Sequence, residues 1–206
     1  MHLMALLACA TPSSVDTGDD PGLTPLDPHD IEAPSDPDDA YPERATVVTG
    51  SEADSYDWAV LRGWVKADSP TVWAALTDPD VGVNRRDVSA WTVTESDDDR
   101  ADVAYVVNEV VEDPITVDFD LTWWHAQAED PADGSVTVWE KTGGTEFISL
   151  IAGSVVATGH DGVVDFLVVH HLQTVDSGPE EAQLFVEDFY ASVLAVAHGE
   201  PLPTYE

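Results

Sequence analysis

The sequence predicts an α+β domain of seven mainly antiparallel strands followed by one long C-terminal helix whose apolar face must pack on a core. Three observations carry this expectation. Six apolar, β-branched segments follow one another between residues 88 and 174, each separated from the next by turn residues. Ala182, Phe185, Val186, Phe189, Tyr190, Val193, Leu194 and Ala197 then recur at helical spacing as one broad apolar stripe. Hydrophobic residues make up 43% of the 206 positions, enough for a core although the chain carries 41 acidic against 7 basic side chains.

Taken in order, residues 56–66 (YDWAVLRGWVK) are rich in aromatic and β-branched residues and read as the first strand. Asp68 and Ser69 supply capping side chains, Pro70 suits a first helical turn, and Val72, Trp73 and Leu76 follow at helical spacing. Asp78-Pro79 stops that helix, and a second short one is expected to run to about Arg86. Strands are expected at 88–94, 103–111, 115–126, 135–141, 147–157 and 163–174. Between them lie Ser96-Asp97-Asp98-Asp99, Glu112-Asp113-Pro114, Asp130 to Gly134, Gly143-Gly144 and Gly159 to Gly162, all turn formers. Ser177 to Glu180 offer a capping-box spacing for the last helix, and Gly199 before Pro201 ends it.

Residues 1–55 hold 12 acidic and 1 basic side chain, and residues 56–206 hold 29 and 6. Such a surface repels both a phosphate backbone and an anionic bilayer, which excludes nucleic acid as a partner and peripheral membrane binding through basic residues. Residues 10–55 are dominated by Pro, Asp, Ser, Thr and Gly without apolar periodicity. They read as a disordered acidic tether, about 35–40 Å across as a flexible coil. The sole cysteine, Cys9, excludes an intramolecular disulfide and a CxxC site. Leu6-Leu7-Ala8-Cys9 has the pattern of a bacterial lipobox, so residues 1–9 are expected to be a truncated or mis-started lipoprotein signal ending at a lipidated Cys9. The expected location is the cell envelope, with membrane contact only through that lipid.

The order of elements is that of the helix-grip fold, and Val65-Lys66-Ala67-Asp68-Ser69-Pro70-Thr71-Val72-Trp73 through Asp78-Pro79 resembles the first strand and helix of START-like (SRPBCC superfamily) proteins. Gly153-Ser154-Val155 in a strand and the run into Gly199-Glu200-Pro201-Leu202-Pro203 are similar to that group too, over residues 56 to about 203. The resemblance implies a curved, seven-stranded sheet wrapped around the last helix, with a cavity for an apolar or amphipathic small molecule; some members are cyclases or hydrolases and many only bind or carry.

Ile115, Val117, Phe119, Leu121 and Trp123 alternate with polar positions and face inward, as pocket wall or as core. Phe119, Leu121 and Trp123, with Phe189 and Tyr190 on the last helix and His170, are the candidate ligand contacts, Trp123 first among them. Tyr190 offers a hydroxyl to orient a polar end. His170 and His171 point to opposite faces of a strand and cannot share a metal, while His170 has the parity of Val164, Phe166 and Val168. Glu109 is a candidate buried acid whose parity does not decide its face. Arg85-Arg86 either grips a carboxylate or balances Asp78, Asp80 and Asp87. No nucleophile elbow, phosphate loop or HExxH pattern occurs, so no catalytic residue, metal or cofactor is assigned. Three functions stand: a lipid-anchored carrier of a small apolar or amphipathic ligand, a polyketide-cyclase-like enzyme using Tyr190, His170 or Glu109, and a structural domain with a filled core.

Overall fold

Ala45–Glu52 forms strand β1 and turns back directly onto Tyr56–Val65 (β2), so that Ala45 pairs with Gly63 and Glu52 with Tyr56. This is a computed structural model, and it describes residues 23–205 apart from 54, 113–114 and 176–177. The lipobox, the first part of the expected tether, Pro114 and Ser177 lie outside the described residues. After β2 come helices Ser69–Leu76 (α1) and Pro79–Gly82 (α2), and then strands Val88–Glu95 (β3), Val103–Glu112 (β4), Thr116–Gln127 (β5), Gly134–Gly144 (β6), Ile148–His160 (β7) and Val163–Thr174 (β8). Helix Pro179–Ala197 (α3) is the last element, followed by an irregular segment to residue 205.

All eight strands form one sheet in the order β1-β2-β8-β7-β6-β5-β4-β3, with every neighbouring pair antiparallel. The sheet thus has eight strands, not seven. The extra one, β1, comes from the segment whose composition reads as tether. It is an edge strand with no fully buried residue, so it needs no continuous apolar run.

Asp68 caps α1 by accepting from the Thr71 N–H at 3.0 Å, and Asp78 caps α2 by accepting from the Asp80 N–H at 3.0 Å. The second helix does not reach Arg86: it stops after one turn, because Val83 turns extended and is buried beside Val81. At the start of α3 the Glu181 carboxylate accepts from the Gly178 N–H at 2.7 Å, and Gly178 has no side chain to complete the box.

One face of the sheet, the inner face, packs against α1, α2 and α3 and carries most of the buried apolar residues. The outer face is covered by residues 23–44, which corrects the expectation of a free tether over this stretch. Leu23 is buried with Ala104, Trp124 and Ala126. Beyond it the Leu26 N–H donates to Ser154 Oγ (2.9 Å), Arg62 donates to the Ile31 carbonyl (3.2 Å) while forking onto Asp165, and Trp64 Nε1 donates to the Pro34 carbonyl (2.9 Å). The His29 ring stacks on Trp58 at 3.9 Å and Tyr41 meets Trp64 edge-on at 4.7 Å. The strap is held largely through its backbone, which is why its side-chain pattern does not announce it.

Candidate functional site

Antiparallel register sets up the site. Reading across the sheet, Ala59 pairs with His170, His170 with Gly153, Gly153 with Trp139, Trp139 with Trp123 and Trp123 with Tyr105. All point to the inner face, so a row of rings runs across five strands beneath α3. Gly153 makes the row continuous. A Cβ there would lie 2.0 Å from Trp139 Cζ2, so only the bare backbone lets that indole lie flat over β7 towards His170. Trp123 and Trp139 stack at 4.7 Å and 18°. From α3, Phe185 lies on His170 at 4.1 Å and Phe189 lies 6.0 Å from Trp123 and 5.8 Å from Trp139.

These rings leave little room. Between α2 and α3, bounded by Val81, Gly82, Phe185 and Phe189, the gap measures about 10 Å³, near the minimum for one water. Aromatic side chains pack between the sheet and α3, where the resemblance leads one to expect a cavity.

The polar atoms tell a different story. Trp123 Nε1, Trp139 Nε1, His170 Nδ1 and Glu109 Oε1 are all buried without a hydrogen-bond partner among the described residues. Glu109 faces inward, paired in register with Phe119 and Trp91, and is 2% exposed; burial pushes its carboxyl up to about 8. Burial, and then neighbouring His171, hold His170 down at about 3. Both groups are therefore neutral at physiological pH. His125 is also on this face and lowered to about 3 by burial, with its Nδ1 2.9 Å from Thr137 Oγ1.

Of the residues singled out from sequence, Phe119, Leu121, Trp123, His170, Phe189 and Tyr190 are all buried within the described core. Trp123, His170 and Phe189 come together in the aromatic row. Tyr190 stands apart: its hydroxyl donates to the Trp64 carbonyl at 2.6 Å, locking α3 to β2, and burial raises its pKa above the usual phenol range. Ile115 is exposed, so inward packing on β5 begins at the half-buried Val117, which lies against the core. His171 lies on the outer face against Tyr56. Sequence reasoning missed Trp139, Phe185 and Tyr105. On β6 the alternation of Val136 and Val138 with Thr137 and Trp139 gives no clear inner face, because the strap covers the outer one as well.

Among the described residues no group of three or more His, Cys, Asp or Glu side chains is placed to hold a metal ion, and no helix is long and apolar enough to cross a membrane.

No protein-family model matches the sequence, and no curated protein matches it either. Solved structures do match. Human StAR-related lipid transfer protein 5 has a TM-score of 0.54 at 12% identity, over 75% of this chain and 82% of its own. The lipid transfer and protein localization domain of human StarD13 (DLC2) has a TM-score of 0.52 at 12% identity, over 77% of this chain and 85% of its own. At this identity the likeness is one of fold: the chain has a START-like fold.

Proposed function

We propose that the domain binds a small, uncharged amphipathic molecule between the aromatic row and α3, and that α3 moves away from the sheet to admit it. The observation that carries this reading is the set of four buried polar atoms, on Trp123, Trp139, His170 and Glu109, that no group among the described residues satisfies. Each such atom in a permanently closed core costs about 1–3 kcal/mol, and phenylalanine or leucine would avoid that cost. A ligand with acceptor oxygens would satisfy both indole N–H groups, and a neutral Glu109 adds a donor without placing a charge in the interior. The names of the two human proteins, both of which speak of lipid transfer, support the ligand class.

The filled-core reading rests on the 10 Å³ gap and is the second possibility. The cyclase-like reading has less behind it. Tyr190 spends its proton on Trp64, and no contact joins Tyr190, His170 and Glu109 among the described residues.

Titration with N-phenyl-1-naphthylamine, a neutral apolar fluorophore, separates the first two. The ligand reading expects saturable uptake by wild type that Phe185→Asp abolishes. A wild type that takes up none, together with Trp123→Ala losing the full roughly 3–5 kcal/mol of a buried aromatic, means that the interior stays filled.

The proposal extends to export and lipidation at Cys9, supported by Leu6-Leu7-Ala8-Cys9. Because the strap is already packed at Leu23, any spacer is confined to residues 10–22. Cys9→Ser, expressed with the native upstream sequence, should leave the membrane fraction; unchanged fractionation would reject the anchor.

A further inference from the structure

Two adjacent arginines follow α2, and the fold treats them differently. Arg86 is satisfied: its guanidinium forks onto Asp188 of α3 (2.9 and 3.0 Å) and lies 4.3 Å from the centre of the Tyr205 ring. Arg85 donates from Nη2 to the Asp80 carbonyl (2.8 Å) and sits 5.0 Å from the Trp91 ring centre, while its Nε is buried with no partner. The nearby Asp80 carboxylate is taken up elsewhere, accepting from Trp91 Nε1 at 2.9 Å. Among the described residues Arg44, Arg62, Lys66, Arg86 and Arg100 each pair with a carboxylate, and Arg85 and Lys141 do not. Of these two, Arg85 is the one with a buried donor left without a partner among the described residues.

Arg85 also borders a groove of about 250 Å³, walled by Val88 and Trp91 on one side and by Leu202, Pro203 and Tyr205 of the C-terminal segment on the other. The pairing of Arg86 with Asp188 and Tyr205 fixes the far wall. A guanidinium with a donor left unpartnered, lining a cleft with aromatic and aliphatic sides, is suited to a carboxylate.

We propose that this groove binds a small apolar or aromatic monocarboxylate, its carboxylate on Arg85 and its body between Trp91 and Leu202. The volume lies below the roughly 300–1,000 Å³ of drug-sized pockets, which limits the ligand to one or two rings or a short chain. A single negative charge is required, since the acidic surface around the groove penalises every further charge on a ligand, phosphate esters included. The site lies outside the aromatic row and stands whether or not the interior opens.

The test titrates 2-naphthoate and the uncharged 2-naphthylmethanol by calorimetry, following the indole N–H signals by NMR. Wild type should bind the acid at least ten-fold tighter than the alcohol, with the Trp91 signal shifting. Arg85→Gln should abolish that preference, and Leu202→Asp, which leaves Arg85 in place, should weaken the acid to a similar degree. Lys141→Gln, a charge-matched change outside the groove, should keep the preference. Equal affinity for acid and alcohol in wild type overturns the proposal. So does a preference that survives Arg85→Gln, or a response confined to the Trp123 and Trp139 signals, which would place the binding beneath α3.

Discussion

Glu109 and the two inward histidines give the interior a pH signature. In the unfolded chain a glutamate loses its proton near 4.3, whereas burial holds the folded Glu109 up at about 8. Through that window the unfolded state is the one that has released the proton, so stability falls as pH rises. His125 and His170, held at about 3 chiefly by burial, act in the opposite sense. They stay neutral in the fold while unfolded histidines protonate near 6.5, so stability is lost as pH falls below that. Two histidines outweigh one carboxyl on the acid side, which places the maximum near about pH 6–7. Urea midpoints measured from pH 4.5 to 8.5 should show this peak. Glu109→Gln should remove the alkaline fall and gain on the order of a few kcal/mol at pH 8.5. A wild-type midpoint flat between pH 6.5 and 8.5 would mean that Glu109 is not held neutral. The inward face of Glu109 was not legible from the chain, because Val106, Val107, Val110 and Val111 put apolar residues on both faces of β4.

The strands themselves were legible, and β3 to β8 run within a few residues of where alternation and turn formers place them. The same holds for α3, whose apolar stripe meets the inner face. What alternation does not reveal is which strand must give way to its neighbour. That role falls to Gly153 on β7, whose missing side chain is the space occupied by Trp139. Because Trp139 is held by Trp123 on one side and by Phe185 and Phe189 above, it has nowhere to swing. Gly153→Ala should therefore destabilise by about 1–3 kcal/mol, the range for overpacking a full core. It should also change the near-ultraviolet circular dichroism of the stacked indole pair. An alanine variant as stable as wild type with an unchanged spectrum would show the row to be loosely packed. Gly82 plays a matching part on α2, where an added Cβ would lie 2.7 Å from Trp123 Cζ2.

Across the whole molecule the imbalance of 41 acidic to 7 basic side chains sets the response to salt. Raising monovalent salt from about 0.1 to 1 M shortens the screening length from about 10 to 3 Å, so self-repulsion falls and the thermal midpoint should climb. The strap sharpens this expectation: Asp27, Asp30, Glu32, Asp36, Asp38, Asp39 and Glu43 lie on a segment held against an acidic sheet, partly through Arg62 and Lys66. A midpoint that falls over this range would mean that the paired charges contribute more than the unpaired ones repel. By itself the sequence determined the class of the fold, the identity of its strands and last helix, and the acidity of its surface, since those follow from local periodicity, turn chemistry and composition. Tertiary structure alone decided the eighth strand, the strap over the outer face, the inward turn of Glu109 and Trp139, and the stacking of rings beneath α3. Each of these depends on partners distant in the chain. Several are made by backbone groups, which every residue carries alike, and a pattern of side chains cannot announce them.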